Sequence, residues 1–480
     1  MAKILFVQNH PFDLFGVETL AGYLTKACSH QCNLVIALSP RIIQKAFLKI
    51  KPDILAFPCL TGQHNWVLNT AKFIKAWNPD IPILLGGVHP TFVPDIIEYK
   101  QIDYVCRGEG EYPLEGLLNF YDGRGELASI RGISYKTERG AIHNPLADLI
   151  PDLDLLPFPD RGVYYDKYPA LRDCTTKYFL SSRGCPFKCR FCCNINYSKM
   201  YRGKGNWVRQ KSVDYFIAEI DDVRSKYPLK CLRINDEIFI LNPDWTERFL
   251  AAYKKHVSLP FWIDVTADVL NDNVIRGLKD AGCTYVSFSL ETGNEKFRRE
   301  MLNKQISNRK FIAAAESLKK FGLPFSVNNI TGLPGETLDY ALETVKMNRI
   351  MRPNSMVCSL FQPYPSAPLF DYCLEKGLIA KEDINRFDLN WHSHSILKQP
   401  NIGLLDNLHK LFHVAVMFPR LESVIKRLLY FPSNPIFMLT QRISQFLTYK
   451  RTTRLSFLAA LGIALKAQIA FIVSRSPRRK

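Results

Sequence analysis

Ser-Arg-Gly-Cys-Pro-Phe-Lys-Cys-Arg-Phe-Cys, residues 182–192, places Cys185, Cys189 and Cys192 in one loop with the spacing C-x3-C-x2-C. Three thiolates this close together can bind a metal centre, but structural zinc and cysteine-bound iron–sulfur clusters usually take four protein ligands. A [4Fe–4S] cluster held by three cysteines therefore leaves one iron open to a non-protein ligand. Cys193 lies off this spacing, and we interpret it as a packing residue or a spare thiol. A zinc loop completed by a distant His or Cys, or a chance cluster among thirteen cysteines, is the alternative.

The three cysteines, with an aromatic residue directly before the third, resemble the cluster motif of the radical S-adenosylmethionine (SAM) enzymes. The resemblance implies that Cys185, Cys189 and Cys192 bind a [4Fe–4S] cluster whose open iron is chelated by SAM. It also implies that Phe191 lies near the adenine of SAM. In that family, reductive cleavage of SAM gives a 5′-deoxyadenosyl radical, and the protein supplies placement and exclusion of water. An electron donor such as flavodoxin or ferredoxin is implied as a partner.

Length and composition indicate a globular protein of two or three domains. The chain has 480 residues, of which 47% are apolar and 22% charged, so it can bury a sizeable core. Thirteen cysteines without a signal peptide do not suggest a secreted disulfide framework. Residues 3–7 have the pattern of a buried strand rather than of a cleavable leader, so we expect a cytoplasmic protein.

Residues 1–145 alternate between short apolar strands and helices. The pattern predicts strands over residues 4–8, 33–38, 53–57, 81–85 and 103–106. Strands that alternate with helices predict an α/β fold with a Rossmann-like, doubly wound parallel sheet. Such a sheet binds its ligands at the carboxyl ends of the strands.

This region resembles the cobalamin-binding domain that precedes the radical SAM domain in one large subgroup. Gly86 and Gly87 would allow the backbone to approach the corrin or its nucleotide tail closely. The resemblance implies cobalamin contacts from His10, Thr61, Gly86, Gly87, His89, Gly108 and Glu109. The Asp-x-His-x-x-Gly signature of other cobalamin proteins is absent from the first loop, so no lower cobalt ligand is named. A Rossmann-like domain with a vestigial or protein-binding role is the alternative.

Residues 146–175 are rich in proline and aspartate and predict an extended linker. Residues 176–390 follow as the predicted radical SAM core. Its strands are predicted over 178–181, 231–235, 262–266, 285–290, 326–330 and 356–361. Six strand–helix units predict a partial, TIM-like (β/α)6 barrel, in which the chemistry lies at the carboxyl ends of the strands.

Several motifs fall at these strand ends, and the family resemblance implies that they contact SAM. They contribute Asp236, Glu237, Glu291, Gly293, Gly332 and Phe361. Asp236 and Glu237 would lie near the SAM amino group, since a buried carboxylate is costly without a cationic partner. Helix-capping or solvated acids are the alternative for this pair. Glu336 and Thr337 are predicted to cap the following helix. No catalytic residue is named.

Residues 391–480 form a predicted helical, basic C-terminal region. Residues 401–480 contain thirteen Lys and Arg against Asp406 and Glu422. Such asymmetry suggests a nucleic-acid or anionic-membrane surface, or a solvated basic face. Nucleic acid is disfavoured, because the tail lacks regular aromatic–basic interleaving. Residues 455–473 predict an amphipathic helix on a membrane surface or a cap over the barrel mouth, and the two are compatible.

These observations predict a cobalamin-dependent radical SAM enzyme. The resemblance implies methyl transfer to an unactivated carbon through a 5′-deoxyadenosyl radical and methylcobalamin. Radical oxidation or ring closure, as in the anaerobic porphyrin-ester cyclases, is the first alternative. An iron–sulfur protein that modifies or binds RNA is an alternative of another class. The basic, apolar tail favours a small, hydrophobic or lipid substrate and a cytoplasmic protein with peripheral membrane contact.

Overall fold

The computed structural model describes residues 1–387 and 394–453 of the chain. Its first sheet has seven strands in the order β2-β1-β3-β4-β5-β6-β7, of which the first five in the chain are parallel. The strands are β1 Lys3–Gln8, β2 Gln31–Ile36, β3 Ile54–Pro58, β4 Ile83–Gly86, β5 Tyr104–Cys106, β6 Ile133–Thr137 and β7 Gly140–His143. The connecting helices are α1 Phe15–Gly22, α2 Pro40–Ile50, α3 His64–Trp77, α4 Val88–Phe92 and α5 Glu111–Tyr121. A π-helical turn, Tyr23–Ala27, continues α1.

The apolar strands of this sheet are buried because helices cover both of its faces. Alternate residues of β1 point into two separate hydrophobic clusters, one with Ile4 and Phe6 and the other with Leu5 and Val7. The strand order reverses between β1 and β3, which is where open α/β sheets form a crevice at the carboxyl ends of their strands. The predicted parallel α/β sheet is confirmed. The antiparallel pair β6–β7 was not predicted from the sequence.

The segment between the two sheets packs closely rather than running as a simple extended linker. It contains two short helices, α6 Gly162–Tyr165 and α7 Pro169–Arg172. Tyr164 and Tyr165 are fully buried. The Tyr164 hydroxyl donates to Gln8 Oε1 at 2.6 Å, and the Tyr165 hydroxyl donates to Asp13 Oδ2 at 2.9 Å. Proline density predicted an extended chain, whereas the two aromatic side chains anchor it to the first sheet.

The second sheet is an open half-barrel of six parallel strands in the order β15-β14-β13-β12-β11-β8. Its strands are β8 Thr176–Phe179, β11 Cys231–Ile234, β12 Phe261–Val265, β13 Cys283–Glu291, β14 Phe325–Thr331 and β15 Ser355–Leu360. A two-stranded antiparallel ribbon, β9 Ser182–Arg183 with β10 Arg209–Gln210, follows β8. The predicted partial (β/α)6 barrel is confirmed.

Five helices pack on the half-barrel and bury its main hydrophobic cluster, which includes Phe179 and Met351. They are α9 Val213–Lys226, α10 Pro243–His256, α11 Asp272–Asp280, α13 Asn308–Lys320 and α14 Leu338–Met351. Three further helices of this part lie outside that cluster: α8 Asn194–Met200, α12 Glu295–Leu302 and α15 Pro368–Glu375. Six of these eight helices begin at a side-chain cap: Ser212, Asn242, Asn271, Asn294, Ser307 and Thr337 each accept at least one hydrogen bond from a backbone N–H of the first turn.

The C-terminal region is helical, as predicted. Helices α16 Ile402–Met417 and α18 Pro435–Thr453 pack on β15, and α17 Glu422–Leu428 lies between them. Leu408 and Phe412 of α16 share a cluster with Val345 of α14 and Met356 of β15. No helix within residues 1–387 or 394–453 is long and apolar enough to cross a membrane. The predicted amphipathic helix over 455–473 and the predicted boundary at residue 390 lie outside the described residues.

Candidate functional site

The loop of three cysteines lies between β9 and α8, beyond the carboxyl end of β8. It is anchored at three points by elements far away in sequence. The backbone N–H of Arg190 donates to Leu302 O at 3.0 Å, and the Asn303 amide donates to Lys188 O at 2.9 Å. The N–H of Leu369 donates to Arg190 O at 3.0 Å. The loop is therefore held by the end of α12 and the start of α15.

The three thiols are half-buried and form no disulfide. Within residues 1–387 and 394–453, no three His, Cys, Asp or Glu side chains converge closely enough to bind one metal ion. A zinc site needs ligands that converge on a single ion. The thiolates of a [4Fe–4S] cluster each bind a different iron and do not converge on one point. Three free thiols on one loop are the protein ligands that a [4Fe–4S] cluster with one open iron would need.

The surroundings of the three thiols shift their pKa values in different directions. Burial raises the pKa of Cys185 to about 11 and that of Cys189 to about 12. A hydrogen bond from Cys193 lowers the pKa of Cys192 to about 6, and the Asn194 side chain also donates to Cys192 Sγ at 3.6 Å. Because metal ligation requires thiolates, assembly of a cluster here releases protons.

Glu291 ends β13 in a strained conformation. Its φ of +66° is unusual for a residue with a side chain, and the pairing of β13 with β14 shifts register between Ser289 and Glu291. The carboxylate is buried and lies 3.1 Å from Lys304 Nζ, which also donates to Ser289 O at 2.6 Å. Strain of this kind persists where the surrounding structure enforces it, often at functional sites. Glu291 and Lys304 both lie close enough to affect the pKa of Cys189.

The two acids after β11 differ in their surroundings. Asp236 is buried and accepts hydrogen bonds from the backbone N–H of Ser181, at 2.7 Å, and from its hydroxyl. Burial raises the pKa of Asp236 to about 6. Glu237 is exposed within the cleft and lies close enough to Cys185 and Cys192 to affect their pKa values. Asp236 therefore joins β11 to the end of β8, and Glu237 is the acid available to a ligand.

The other residues predicted to contact SAM occupy packed positions. Phe361 is buried in a hydrophobic cluster against which Phe191 packs. Gly332 has φ of +76°, and its N–H donates to Glu336 Oε2 at 2.6 Å. The Gly293 N–H donates to Thr344 Oγ1 at 2.8 Å. Phe191 and Phe361 thus form one apolar wall beside the cysteine loop.

A cavity of about 490 Å³ lies between the first sheet and the half-barrel. On the sheet side it is lined by the strand-end residues Gly86, Gly87, Gly108, Glu109, Gly110 and Glu111. On the barrel side it is lined by Arg183, Gly184, Tyr197, Tyr201, Trp207 and Glu237. Arg183 and Gly184 lead directly into the cysteine loop, whose three cysteines are not among the lining residues. The cavity therefore lies against the predicted cobalamin motif and beside the start of the cysteine loop.

Two glycines shape this cavity. Gly87 has φ of +102°, and a Cβ there would lie 3.0 Å from Cys59 O. Gly108 has φ of +81°, and a Cβ there would lie 1.8 Å from the Tyr201 hydroxyl oxygen. That hydroxyl accepts a hydrogen bond from the N–H of Glu109 at 2.8 Å. The close backbone approach made possible by Gly108 is thus to Tyr201, which directly follows α8.

Ion pairs connect the two motifs across the cavity wall. Arg183, two residues before Cys185, lies 3.2 Å from Glu109 Oε1 through Nη1 and 2.6 Å from Glu111 Oε1 through Nη2. Arg209 of β10 donates to Glu109 Oε2 at 3.1 Å. Although burial opposes ionisation, Arg183 and Arg209 hold the pKa of Glu109 below its usual range. Glu109 thus forms ion pairs with two arginines, which its sequence motif did not predict.

Three predicted cobalamin contacts lie away from this cavity. Thr61 Oγ1 is 3.0 Å from His89 Nδ1, and His89 stacks on His64 with ring centroids 4.3 Å apart. Burial lowers the pKa of His89 to about 3, so its imidazole is neutral. His10 is half-buried, and burial lowers its pKa. His10, Thr61 and His89 are not among the lining residues, and the structure places Thr61 and His89 in a packed, mutually bonded pair.

Polar residues inside the half-barrel were missed from the sequence. A cavity of about 420 Å³ is lined by Arg233, Asp264, Ser287, Ser289 and Asn328. Glu237 lines both this cavity and the cavity between the two sheets. Arg233 lies 3.7 Å from Asp264, and burial raises the pKa of Asp264. Asp264, Ser287 and Ser289 alternate with apolar residues along β12 and β13. This alternation of polar and apolar residues could have predicted from the sequence that Asp264, Ser287 and Ser289 face the barrel interior.

Two family models match the chain at the sites described above. The Radical SAM superfamily model matches residues 179–347, and the B12 binding domain model matches residues 10–118. The chain belongs to the radical SAM superfamily, in the group that carries a B12-binding domain. This radical SAM protein is an enzyme, and its cofactors are a [4Fe–4S] cluster, SAM and cobalamin.

Similar proteins agree with this assignment. An uncharacterized methyltransferase of Pyrococcus horikoshii is 28% identical over 80% of this chain and 81% of its own length. The anaerobic magnesium-protoporphyrin IX monomethyl ester cyclase of Rubrivivax gelatinosus is 28% identical over 74% of this chain and 65% of its own length. The solved structure of the cobalamin-dependent SAM radical enzyme OxsB superimposes with a TM-score of 0.67 at 18% identity. The superposition covers 94% of this chain and 71% of that chain, and it shows a shared fold.

Proposed function

We propose that this radical SAM enzyme transfers a methyl group from SAM to an unactivated carbon of a small molecule. The observation that carries the proposal is the cavity lined by the cobalamin motif and by Arg183 and Gly184, which directly precede Cys185, with Arg183 paired to Glu109 and Glu111. In enzymes of this group, SAM and the cluster supply a hydrogen-abstracting radical and cobalamin supplies the methyl group. A substrate must reach both cofactors, and a cavity at the cobalamin motif that adjoins the cysteine loop would meet that requirement.

Different residues of this chain would hold the cluster, SAM and cobalamin. Cys185, Cys189 and Cys192 would hold the cluster, with Lys304 compensating part of its negative charge. Glu237 would accept hydrogen bonds from the SAM amino group, and Phe191 and Phe361 would exclude water beside the adenine. Gly86, Gly87, Gly108 and Glu109 would line the cobalamin site. Tyr197, Tyr201 and Trp207 would form the wall opposite the corrin.

Anaerobic purification and reconstitution tests this proposal. Iron, sulfide and cobalamin are quantified, and the reduced enzyme is then incubated with SAM. We expect 5′-deoxyadenosine, together with S-adenosylhomocysteine in an amount that matches the bound cobalamin. Deoxyadenosine without S-adenosylhomocysteine would contradict methyl transfer and favour the radical oxidation or ring closure to which the cyclase relative points.

Replacement of single cysteines tests the cluster assignment. Cys189→Ala should abolish 5′-deoxyadenosine formation, because the cluster loses one of its three ligands. Cys174→Ala is the matched control, since it removes an exposed thiol that lies outside the C-x3-C-x2-C motif, and it should retain iron and activity. Iron content and product are measured on both variants. Activity in Cys189→Ala, or its loss in Cys174→Ala alone, would refute the assignment.

We further propose the partners and location that the sequence predicted. The substrate would be hydrophobic or a lipid, and flavodoxin or ferredoxin would supply the electron that reduces the cluster. The protein would be cytoplasmic and would contact a membrane peripherally through its C-terminal region. Reduction of the reconstituted cluster by each electron carrier, followed by absorbance, tests the donor.

A further inference from the structure

The C-terminal helices expose an unusual number of large apolar side chains. Eleven of the exposed large hydrophobic residues lie within residues 417–447, whereas sixteen are spread over the rest of the described chain. The eleven form the C-terminal apolar surface: Met417, Phe418, Leu421, Val424, Tyr430, Phe431, Ile436, Met438, Leu439, Ile443 and Leu447. Concentrations of this kind mark interaction sites rather than ordinary surface.

Helix α18 has one side packed against the rest of the chain and an apolar side that faces outward. Phe437 and Gln441 are buried on its inner side, where Phe437 joins the cluster formed with α16 and Gln441 lies 3.3 Å from His409. Ile436, Leu439, Ile443 and Leu447 follow helical spacing on its outer side, and each is at least half exposed. Packing within the described chain therefore covers the inner side of α18 and leaves the apolar outer side uncovered.

Cations surround this surface. Residues 417–453 contain six Lys and Arg and a single acid, Glu422. Glu422 is itself occupied, since it pairs with Lys426 at 2.8 Å and with Arg349 at 2.6 Å. Arg420, Arg427 and Arg442 are exposed. Apolar stripes with exposed aromatic residues and a basic border are typical of helices that lie in a membrane interface.

We propose that the C-terminal apolar surface docks on an anionic phospholipid bilayer. Charge complementarity favours the bilayer over two other binding partners for this surface, namely residues 454–480 of the same chain and a second copy of the chain. Residues 454–480 carry six further Lys and Arg and no acid, so they would add positive charge to a positive surface. A second copy of the chain would bring the same cations face to face, and like charges across an interface are unfavourable. Phosphate headgroups would neutralise the basic side chains, and the exposed apolar side chains of α18 would insert into the acyl-chain region.

Vesicle flotation of the full-length protein tests the proposal. The probes are vesicles of phosphatidylcholine alone and vesicles that also contain phosphatidylglycerol. We expect flotation only with phosphatidylglycerol, weakened by salt. The triple variant Ile436→Ser, Ile443→Ser, Leu447→Ser should lose it. The matched control replaces three exposed apolar residues elsewhere, Leu48→Ser, Phe73→Ser and Leu155→Ser, and should float like the parent.

Charge reversal provides a second variant. Arg427→Glu combined with Arg442→Glu should weaken the partition coefficient about tenfold or more, since each basic residue near an anionic surface contributes about fivefold. Both side chains are exposed, so folding should be unaffected. Equal flotation of the parent and both C-terminal variants would overturn the proposal. So would flotation that does not depend on phosphatidylglycerol.

Anaerobic carbene footprinting of the full chain distinguishes the other occupants. Met417, Tyr430 and Ile436 should be labelled in the lipid-free protein and protected by phosphatidylglycerol vesicles. Protection without lipid at every protein concentration would show that the chain covers its own surface. Protection that grows with protein concentration would show self-association, and either result would refute the membrane contact. SAM cleavage is measured separately, so failure here leaves the proposed methyl transfer standing.

Discussion

At the scale of single residues, Arg183 has the most consequential position in the site. It lies two residues before Cys185, and its guanidinium binds Glu109 and Glu111, which are more than seventy residues earlier in the chain. Glu111 is nearly inaccessible to solvent, with a side-chain exposure of 4%. A planar fork can bind two carboxylates at once, whereas an ammonium group presents a single point charge. Arg183 therefore positions the cobalamin loop relative to the cysteine loop.

We predict that Arg183→Lys weakens cobalamin binding without affecting the iron–sulfur cluster. The variant should retain cluster iron, because the three cysteines are untouched, but should bind hydroxocobalamin about tenfold more weakly, since one charge-assisted hydrogen bond contributes about 1.5–3 kcal/mol. Iron analysis and retention of hydroxocobalamin during ultrafiltration measure the two effects. Arg202→Lys, an exposed arginine in the same region, is the control. Loss of iron, or unchanged cobalamin affinity, would contradict this positioning role.

Glu336 shows how a motif residue can support a site without contacting a ligand. Its carboxylate accepts hydrogen bonds from the N–H groups of Gly332 and Leu333, at 2.6 and 3.2 Å, and so closes the turn after β14. Burial raises its pKa to about 8. The sequence predicted a helix cap for Glu336. Its observed partners lie in the turn before α14, and Thr337 caps the helix.

At the scale of elements, contact between the end of β13 and α14 decides the shape of the strand end. Gly293 lies against the backbone of Glu343, where an added Cβ would lie 2.4 Å from the carbonyl oxygen. Its N–H also donates to Thr344. The glycine of this Glu-x-Gly segment therefore allows a helix to pack closely, and the strained Glu291 is held beside it.

Gly293→Ala should destabilise the protein by about 3 kcal/mol, because the methyl group overlaps backbone that cannot move aside easily. Gly277→Ala is the matched control: it lies within α11, its added Cβ would meet Leu250 at an ordinary 3.5 Å, and helical alanine is favoured by about 0.5–1 kcal/mol. Thermal unfolding of both variants measures the difference. An unchanged melting temperature in Gly293→Ala would show that α14 can move away from β13.

At the scale of the whole molecule, Arg161 joins the two sheets. Its guanidinium lies 3.4 Å from Glu18 of α1 and donates to Tyr178 O of β8 at 2.6 Å. It also lies over the Phe179 ring at 4.7 Å. Burial alone would favour the neutral form, but Glu18 raises the pKa of Arg161 above its usual range. One buried side chain thus fixes the first sheet against the half-barrel.

Arg161→Met should cost about 3 kcal/mol of stability, because it leaves the Glu18 carboxylate buried without its cation. We expect the calorimetric transition to move to lower temperature and to separate into two, one for each sheet. Arg172→Met, which removes an exposed arginine from the same segment, should leave the transition unchanged. A single, unshifted transition in Arg161→Met would show that the sheets are coupled by other contacts.

Much of the fold followed from local patterns, because they depend on neighbours in sequence. Strand–helix alternation predicted both parallel sheets, and the C-x3-C-x2-C spacing predicted the cysteine loop. The same patterns do not tell what else a motif residue contacts, because distant residues decide that. Asp236 of the predicted SAM motif hydrogen bonds to Ser181, and Thr61 and His89 of the predicted cofactor loops bond to each other. Their contacts with SAM and cobalamin stay predictions. Whether a polar side chain faces a ligand or another side chain depends on packing.

The sequence by itself determined the superfamily, the class of both sheets and the three cysteines, since each is encoded within a few consecutive residues. Only the tertiary structure decided how the two cofactor motifs meet. Arg183, Glu109 and Glu111 become neighbours because two separate sheets present the carboxyl ends of their strands to one cavity. Only the tertiary structure likewise showed that the apolar side of α18 faces outward, since helical spacing alone does not tell which side of a helix is covered.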